Sequence, residues 1–130
     1  MIETVRSMRI TKDTVGEMTE YYPDNWVVLK IKKGKGTFPF YKVLAGWSGG
    51  YTQGDSWRMN SGVVHVEDAG EHWRFYAYSG SCYICHKEQY QLRMNTSGTY
   101  EKLKKELGSL VQMMPEDTDW LTLNRRNTNA

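Results

Sequence analysis

Trp26-Val27-Val28-Leu29-Lys30-Ile31, bounded by Pro23-Asp24-Asn25 on one side and Gly34 on the other, is the stretch on which the fold turns. A short β-branched and aromatic run between turn-forming residues predicts a strand. Its apolar residues are nearly continuous rather than alternating, so the strand is expected to be buried on both faces.

Working outward, Lys32-Lys33-Gly34-Lys35-Gly36 reads as a turn, and Phe40-Tyr41-Lys42-Val43-Leu44-Ala45 as the returning strand of a hairpin. The basic tip reads as a solvated turn that protects an edge rather than as an anion site. A glycine-rich stretch, Gly46 to Gly62, follows. Val63-Val64-His65-Val66-Glu67 and Trp73-Arg74-Phe75-Tyr76-Ala77-Tyr78 then form a second hairpin around Asp68-Ala69-Gly70-Glu71. In its later strand Trp73, Phe75 and Ala77 share one face and Arg74, Tyr76 and Tyr78 the other, the period of two of a half-buried strand. Ser79-Gly80-Ser81 turns the chain into Cys82-Tyr83-Ile84-Cys85-His86, and the strand pattern extends toward Gln89–Met94.

From Tyr100 the period changes. Tyr100, Leu103, Leu107, Leu110, Val111 and Met114 fall at helical spacing, with Thr99 as N-cap and Pro115 as the stop. Met113-Met114 reads as core filler. The expectation is an α+β fold: an antiparallel meander sheet of five or six strands with one C-terminal helix packed on a face. Within a single domain, 1–130, residues 1–22 admit either a ragged strand or a short helix. Residues 26–94 form the meander, 99–114 the helix, and 123–130 a frayed tail with nothing to bury.

Composition limits the function. Lys and Arg total 17 against 15 Asp and Glu, a net charge of +2. That is far from the basic profile of proteins that grip phosphate backbones, so duplex nucleic acid is not the expected partner. The N-terminal residues carry spaced charges and no apolar run of signal-peptide length, and no window approaches the roughly 18 apolar residues of a membrane span. A cytoplasmic chain with no membrane partner and two reduced cysteines is expected.

Cys82-Tyr83-Ile84-Cys85-His86 matches the C-x-x-C-H pattern of c-type haem attachment, but a strand would put its two thiols on opposite faces. A closed zinc site needs four ligands, and only His65 and His72 remain to be recruited from outside this motif. A nucleophile pair of Cys85 or Ser56 with His65, oriented by Asp55, lacks any catalytic sequence context. No phosphate loop of the G-x-x-x-x-G-K-[ST] type occurs. The reading is of a protein without cofactor or metal and without catalysis.

The glycine-rich stretch is the better candidate. Aromatics form 13% of the chain, five Trp and nine Tyr among them, and several gather here beside glycines and small hydroxyls. Glycine lets a ligand approach the backbone, aromatic rings stack bases, and arginine pairs phosphate. The expected ligand-binding residues are Trp47, Ser48, Gly49, Gly50, Tyr51, Ser56, Trp57, Arg58, Asn60 and Ser61, joined by Tyr78, Ser79 and Ser81. The alternative is that Trp47 and Trp57 are core residues beside a long loop. Because adjacent strand residues face opposite ways, Trp57 and Arg58 serve one site only if residues 55–58 are loop.

The segments Tyr21–Ile31, Tyr41–Tyr51 and Tyr78–Tyr83 resemble a group of small uncharacterised accessory proteins of large tailed bacteriophages. The resemblance covers roughly residues 21–90 and carries no activity or site residue with it. It implies a counter-defence role in the host cell. The leading expectation is a non-catalytic protein that sequesters a small nucleotide-derived signal, as a homo-oligomer. An inhibitor that binds a host protein through an aromatic surface comes second, and a small nucleotide-cleaving enzyme third.

Overall fold

A computed structural model describes residues 18–34, 39–48 and 56–123. Eight strands are described: β1 (Thr19–Tyr21), β2 (Asn25–Ile31), β3 (Phe40–Trp47), β4 (Ser56–Met59), β5 (Val63–Asp68), β6 (His72–Ala77), β7 (Ser81–His86) and β8 (Val111–Met113). One helix, α1 (Met94–Leu107), precedes β8, and a single 3-10 turn, Trp120–Thr122, follows it.

Both predicted hairpins form, β2 with β3 and β5 with β6. They do not share a sheet. In place of the expected single meander there are two four-stranded sheets, ordered β1-β7-β6-β5 and β4-β3-β2-β8. The pairing of β1 with β7 is parallel; the other ladders are antiparallel.

The two-faced burial of β2 explains the correction. Trp26 and Val28 face the other sheet and pack with Val43, Ala45, Val66, Phe75, Tyr83 and Cys85. Val27, Leu29 and Ile31 face the opposite way, toward α1, where Tyr100, Leu103 and Leu107 cover them. One sheet with one helix would have left Trp26 and Val28 in water, so the chain folds its second hairpin back as a separate layer. The crossing is made at Asn60–Gly62. The Asn60 side-chain oxygen accepts the Val43 N–H at 3.0 Å, and the Asn60 backbone N–H donates to the Val43 carbonyl at 3.0 Å. Gly62 then takes φ +137°, where a side chain would be strained.

The helix departs from its expected limits. Its N-cap is Arg93, not Thr99, and the Thr96 hydroxyl accepts the Arg93 N–H at 2.9 Å. Thr96 is fully buried and is held from β2 by the Asn25 amide at 3.2 Å. At the other end Gly108 adopts φ +58° and closes the helix. Val111–Met113, helical by spacing, instead pairs with Leu29–Ile31. Residue spacing alone could not separate the two, because Leu107, Leu110 and Val111 suit either a fourth helical turn or a strand entry.

Tyr90 fills the gap between β8 and the start of β2. Its hydroxyl donates to the Met114 carbonyl and accepts the Val28 N–H at 3.2 Å, while its backbone bridges Trp26. Trp120 closes the same end of the core, 5.8 Å from Trp26, 5.6 Å from Tyr90 and 6.0 Å from Phe75 between ring centres. Leu123, assigned by sequence to a frayed tail, is a core residue at 7% exposure. Residues 124–130 of that tail lie outside the described residues.

Candidate functional site

The sheets meet at an edge built by β1, the end of β3 and β4. Tyr21 stands beside Tyr83 across the parallel ladder, ring centres 4.9 Å apart. Trp47 meets Tyr21 edge-on at 6.1 Å, and its indole N–H donates to the Tyr22 carbonyl at 3.0 Å. Asp24 ties the two chain segments together: its N–H bonds the Gly46 carbonyl and its carboxylate accepts the Ser48 N–H at 2.8 Å. Arg58 completes the group. It pairs with Ala45, whose side faces the other sheet, and its guanidinium lies 4.7 Å from the centre of the Tyr21 ring.

Alternation decides the arrangement of the glycine-rich stretch. Residues 56–59 are strand, so Ser56 and Arg58 share the Trp47 side of the sheet and Trp57 takes the opposite side with Met59. Trp57 is 49% exposed and borders a groove with Gly98, Thr99, Lys102, Leu103 and Glu106 of α1. The described residues thus bring Trp47, Ser48, Ser56 and Arg58 to one edge and exclude Trp57 from it.

A second group forms at the neighbouring turns. The Ser61 hydroxyl accepts the Ser79 N–H at 2.9 Å, and the Ser79 and Ser81 hydroxyls are 3.3 Å apart. Ser81 pairs with Thr19, two residues along from the Tyr21–Tyr83 pair. These serines pin the β6–β7 turn, and Tyr78 projects from it at 80% exposure. Asn60 is buried, with its carboxamide oxygen engaged on β3. Gly49, Gly50 and Tyr51 lie outside the described residues.

Tyr21 and Tyr83 were not among the expected site residues. Neither stands in a turn or a glycine-rich context, and the parallel contact that joins them links positions far apart in the chain. The only local signal was the alternation that sets Tyr83 on the face of Ser81 and Cys85.

Burial dominates the electrostatics of this region. It pushes the Tyr83 hydroxyl up to about 12, with the Arg58 charge opposing. Burial also pushes the Cys82 thiol up to about 11 and the Cys85 thiol well above its ordinary value. Both thiols are fully buried and lie on opposite faces of β7, Cys85 in the core and Cys82 beside Tyr76 and Arg74. His86 of the same motif accepts the Glu88 N–H and packs against His72 at 4.9 Å. His65 sits opposite Tyr76 on the outer face of its sheet, while Cys85 and Ser56 face inward, so neither imagined nucleophile pair assembles. Among the described residues no group of three or more His, Cys, Asp or Glu is placed to hold a metal ion. No helix among them is long and apolar enough to cross a membrane.

The outer face carries its own polar chain. Glu20 accepts from Arg74 at 3.2 Å, Arg74 donates to the Tyr76 hydroxyl at 3.0 Å, and that hydroxyl donates to Glu67 at 2.9 Å. Hydrogen bonds from Tyr22 and Arg74 hold the Glu20 carboxyl below its ordinary range. Arg74 is thereby held by the carboxylates of Glu20 and Glu67, whereas Arg58 meets none among the described residues. Comparison with protein-family models, with curated proteins and with solved structures finds no match.

Proposed function

We propose that the chain binds a small nucleotide-like anion at the Arg58 edge and holds it without turning it over. One observation carries the reading: Arg58 is exposed, lies over an aromatic ring, and meets no carboxylate among the described residues. A guanidinium in that position offers a fork of donors to a phosphate, while Trp47 and Tyr21 provide flat surface for a base. The raised thiol pKa values argue against either cysteine as a nucleophile, because a protonated thiol attacks poorly.

The biological setting, sequestration of a host nucleotide signal in the cytoplasm, rests on the resemblance to phage accessory proteins. A homo-oligomer would allow two such edges to enclose one ligand. The test is a thermal shift against cyclic and linear nucleotides. A ligand at 100 times its dissociation constant adds about 2.7 kcal/mol, a shift that Arg58→Ala should abolish. No shift with any nucleotide sinks the reading, and recovery of cleaved rather than intact ligand would make the protein an enzyme.

A second reading has its own observation. Trp57 stands half exposed over a groove of about 560 Å³ beside α1, the kind of aromatic anchor that dominates protein interfaces. It makes the chain an inhibitor of a host protein. Capture of one defined partner by wild type, lost in Trp57→Ala and retained in Arg58→Ala, would favour it.

A further inference from the structure

The geometry points to a second ligand site, a groove between the β2–β3 hairpin and the turns at Gly62 and Tyr78 that takes a small aromatic carboxylate. It holds about 640 Å³, within the ~300–1,000 Å³ typical of small-molecule sites.

Two features define what fits. The first is charge. The Lys33 and Lys42 ammonium groups lie 5.9 Å and 5.7 Å from the centre of one ring, Phe40. The groove lining contains both lysines and no acidic residue, and among the described residues no ion pair reaches either one. Both ammonium groups are held beside the Phe40 ring, and a carboxylate seated at that ring would be attracted by both.

The second feature is the apolar wall opposite. The β5–β6 ladder shifts register between Val63 and His65, so Val64 is an extra residue. Such a bulge re-aims a side chain, and Val64 is left 43% exposed on the groove wall. Tyr78, at 80% exposure, stands beside it, held by its N–H to the Gly62 carbonyl at 2.9 Å. A flat apolar body would lie between Phe40 and the Val64–Tyr78 wall, with its carboxylate toward Lys33 and Lys42. The groove takes Ser61 and Tyr78 from the expected ligand-binding set but not Tyr21, Trp47 or Arg58, so its fate is separable from that of the Arg58 edge.

The test uses indole-3-acetate and its neutral isostere, indole-3-acetamide, titrated into isotopically labelled protein and followed by amide chemical shifts. The acid should perturb Phe40, Lys42, Val63, Val64 and Tyr78 and bind about tenfold more tightly than the amide, the worth of one charge-assisted hydrogen bond. Lys33→Gln combined with Lys42→Gln should remove that preference, whereas Lys102→Gln combined with Lys105→Gln, an equal charge change on α1, should keep it. Equal binding of acid and amide, perturbations centred elsewhere, or no binding at millimolar acid would each overturn the proposal. So would concentration-dependent self-association that the acid fails to displace and that the double lysine variant removes, since the groove would then be an interface between copies of the chain.

Discussion

The Arg58 guanidinium, on the edge strand of one sheet, lies 4.7 Å from the centre of the Tyr21 ring, on the edge strand of the other. The two residues are 37 positions apart, and no ladder joins their strands. Their contact marks where the two layers come together at an open edge.

An exposed cation–π contact contributes about 0.5–1 kcal/mol. Arg58→Ala should therefore lower stability by about 1 kcal/mol or less in urea melts, while abolishing nucleotide binding. A loss of several kcal/mol would show that Arg58 is principally structural.

Tyr90→Phe removes a hydroxyl that serves two backbone groups, the Met114 carbonyl and the Val28 N–H. With both left short of a partner in a half-buried setting, destabilisation of about 1–3 kcal/mol is expected. Equilibrium denaturation measures it, and a neutral result would mean that water replaces the hydroxyl.

Alkaline pH should weaken the fold. Burial raises the hydroxyls of Tyr83 and Tyr90 to about 12 from an ordinary value of 10.0. Because the folded values are raised, this contribution is fully present below pH 10 and is lost as pH rises toward 12. Each unit of separation is worth about 1.4 kcal/mol. Stability measured from pH 8 to 11 should fall, and Tyr90→Phe should flatten the slope.

Trp120→Ala should cost about 3–5 kcal/mol, as for other large buried aromatics. Trp120 is 2% exposed and touches Trp26, Phe75 and Tyr90. A near-silent substitution would show that the segment after β8 does not close the core.

The two thiols should resist modification in the folded protein. Both are fully buried with raised pKa values, so a disulfide reagent at pH 8 should label them slowly and only after unfolding in denaturant. Rapid labelling of either in the native state would contradict the burial of β7.

Local pattern carried a large part of this architecture. The nearly continuous apolarity of Trp26–Ile31 determined a strand covered on both sides, and alternation determined the faces of Trp73, Phe75 and Ala77. It also required that Trp57 and Arg58 part company once residues 56–59 proved to be strand. These are properties of neighbours along the chain, set by a period of two. What covers β2 was not legible. Whether the second hairpin continues the first sheet or folds back over it depends on contacts between distant residues, Trp26 with Phe75 and Val43 with Asn60. The same limit hid Tyr21 and Tyr83, brought side by side by a parallel ladder that leaves no turn signature between them. It also hid Leu123, whose burial depends on the room left beside Trp120. The sequence by itself determined the strands of the two hairpins and of Ser81–His86 and which way their side chains alternate. Only the tertiary structure decided which faces meet, because that choice is made by long-range packing, and the Arg58 edge and the Phe40 groove both lie where two such faces end.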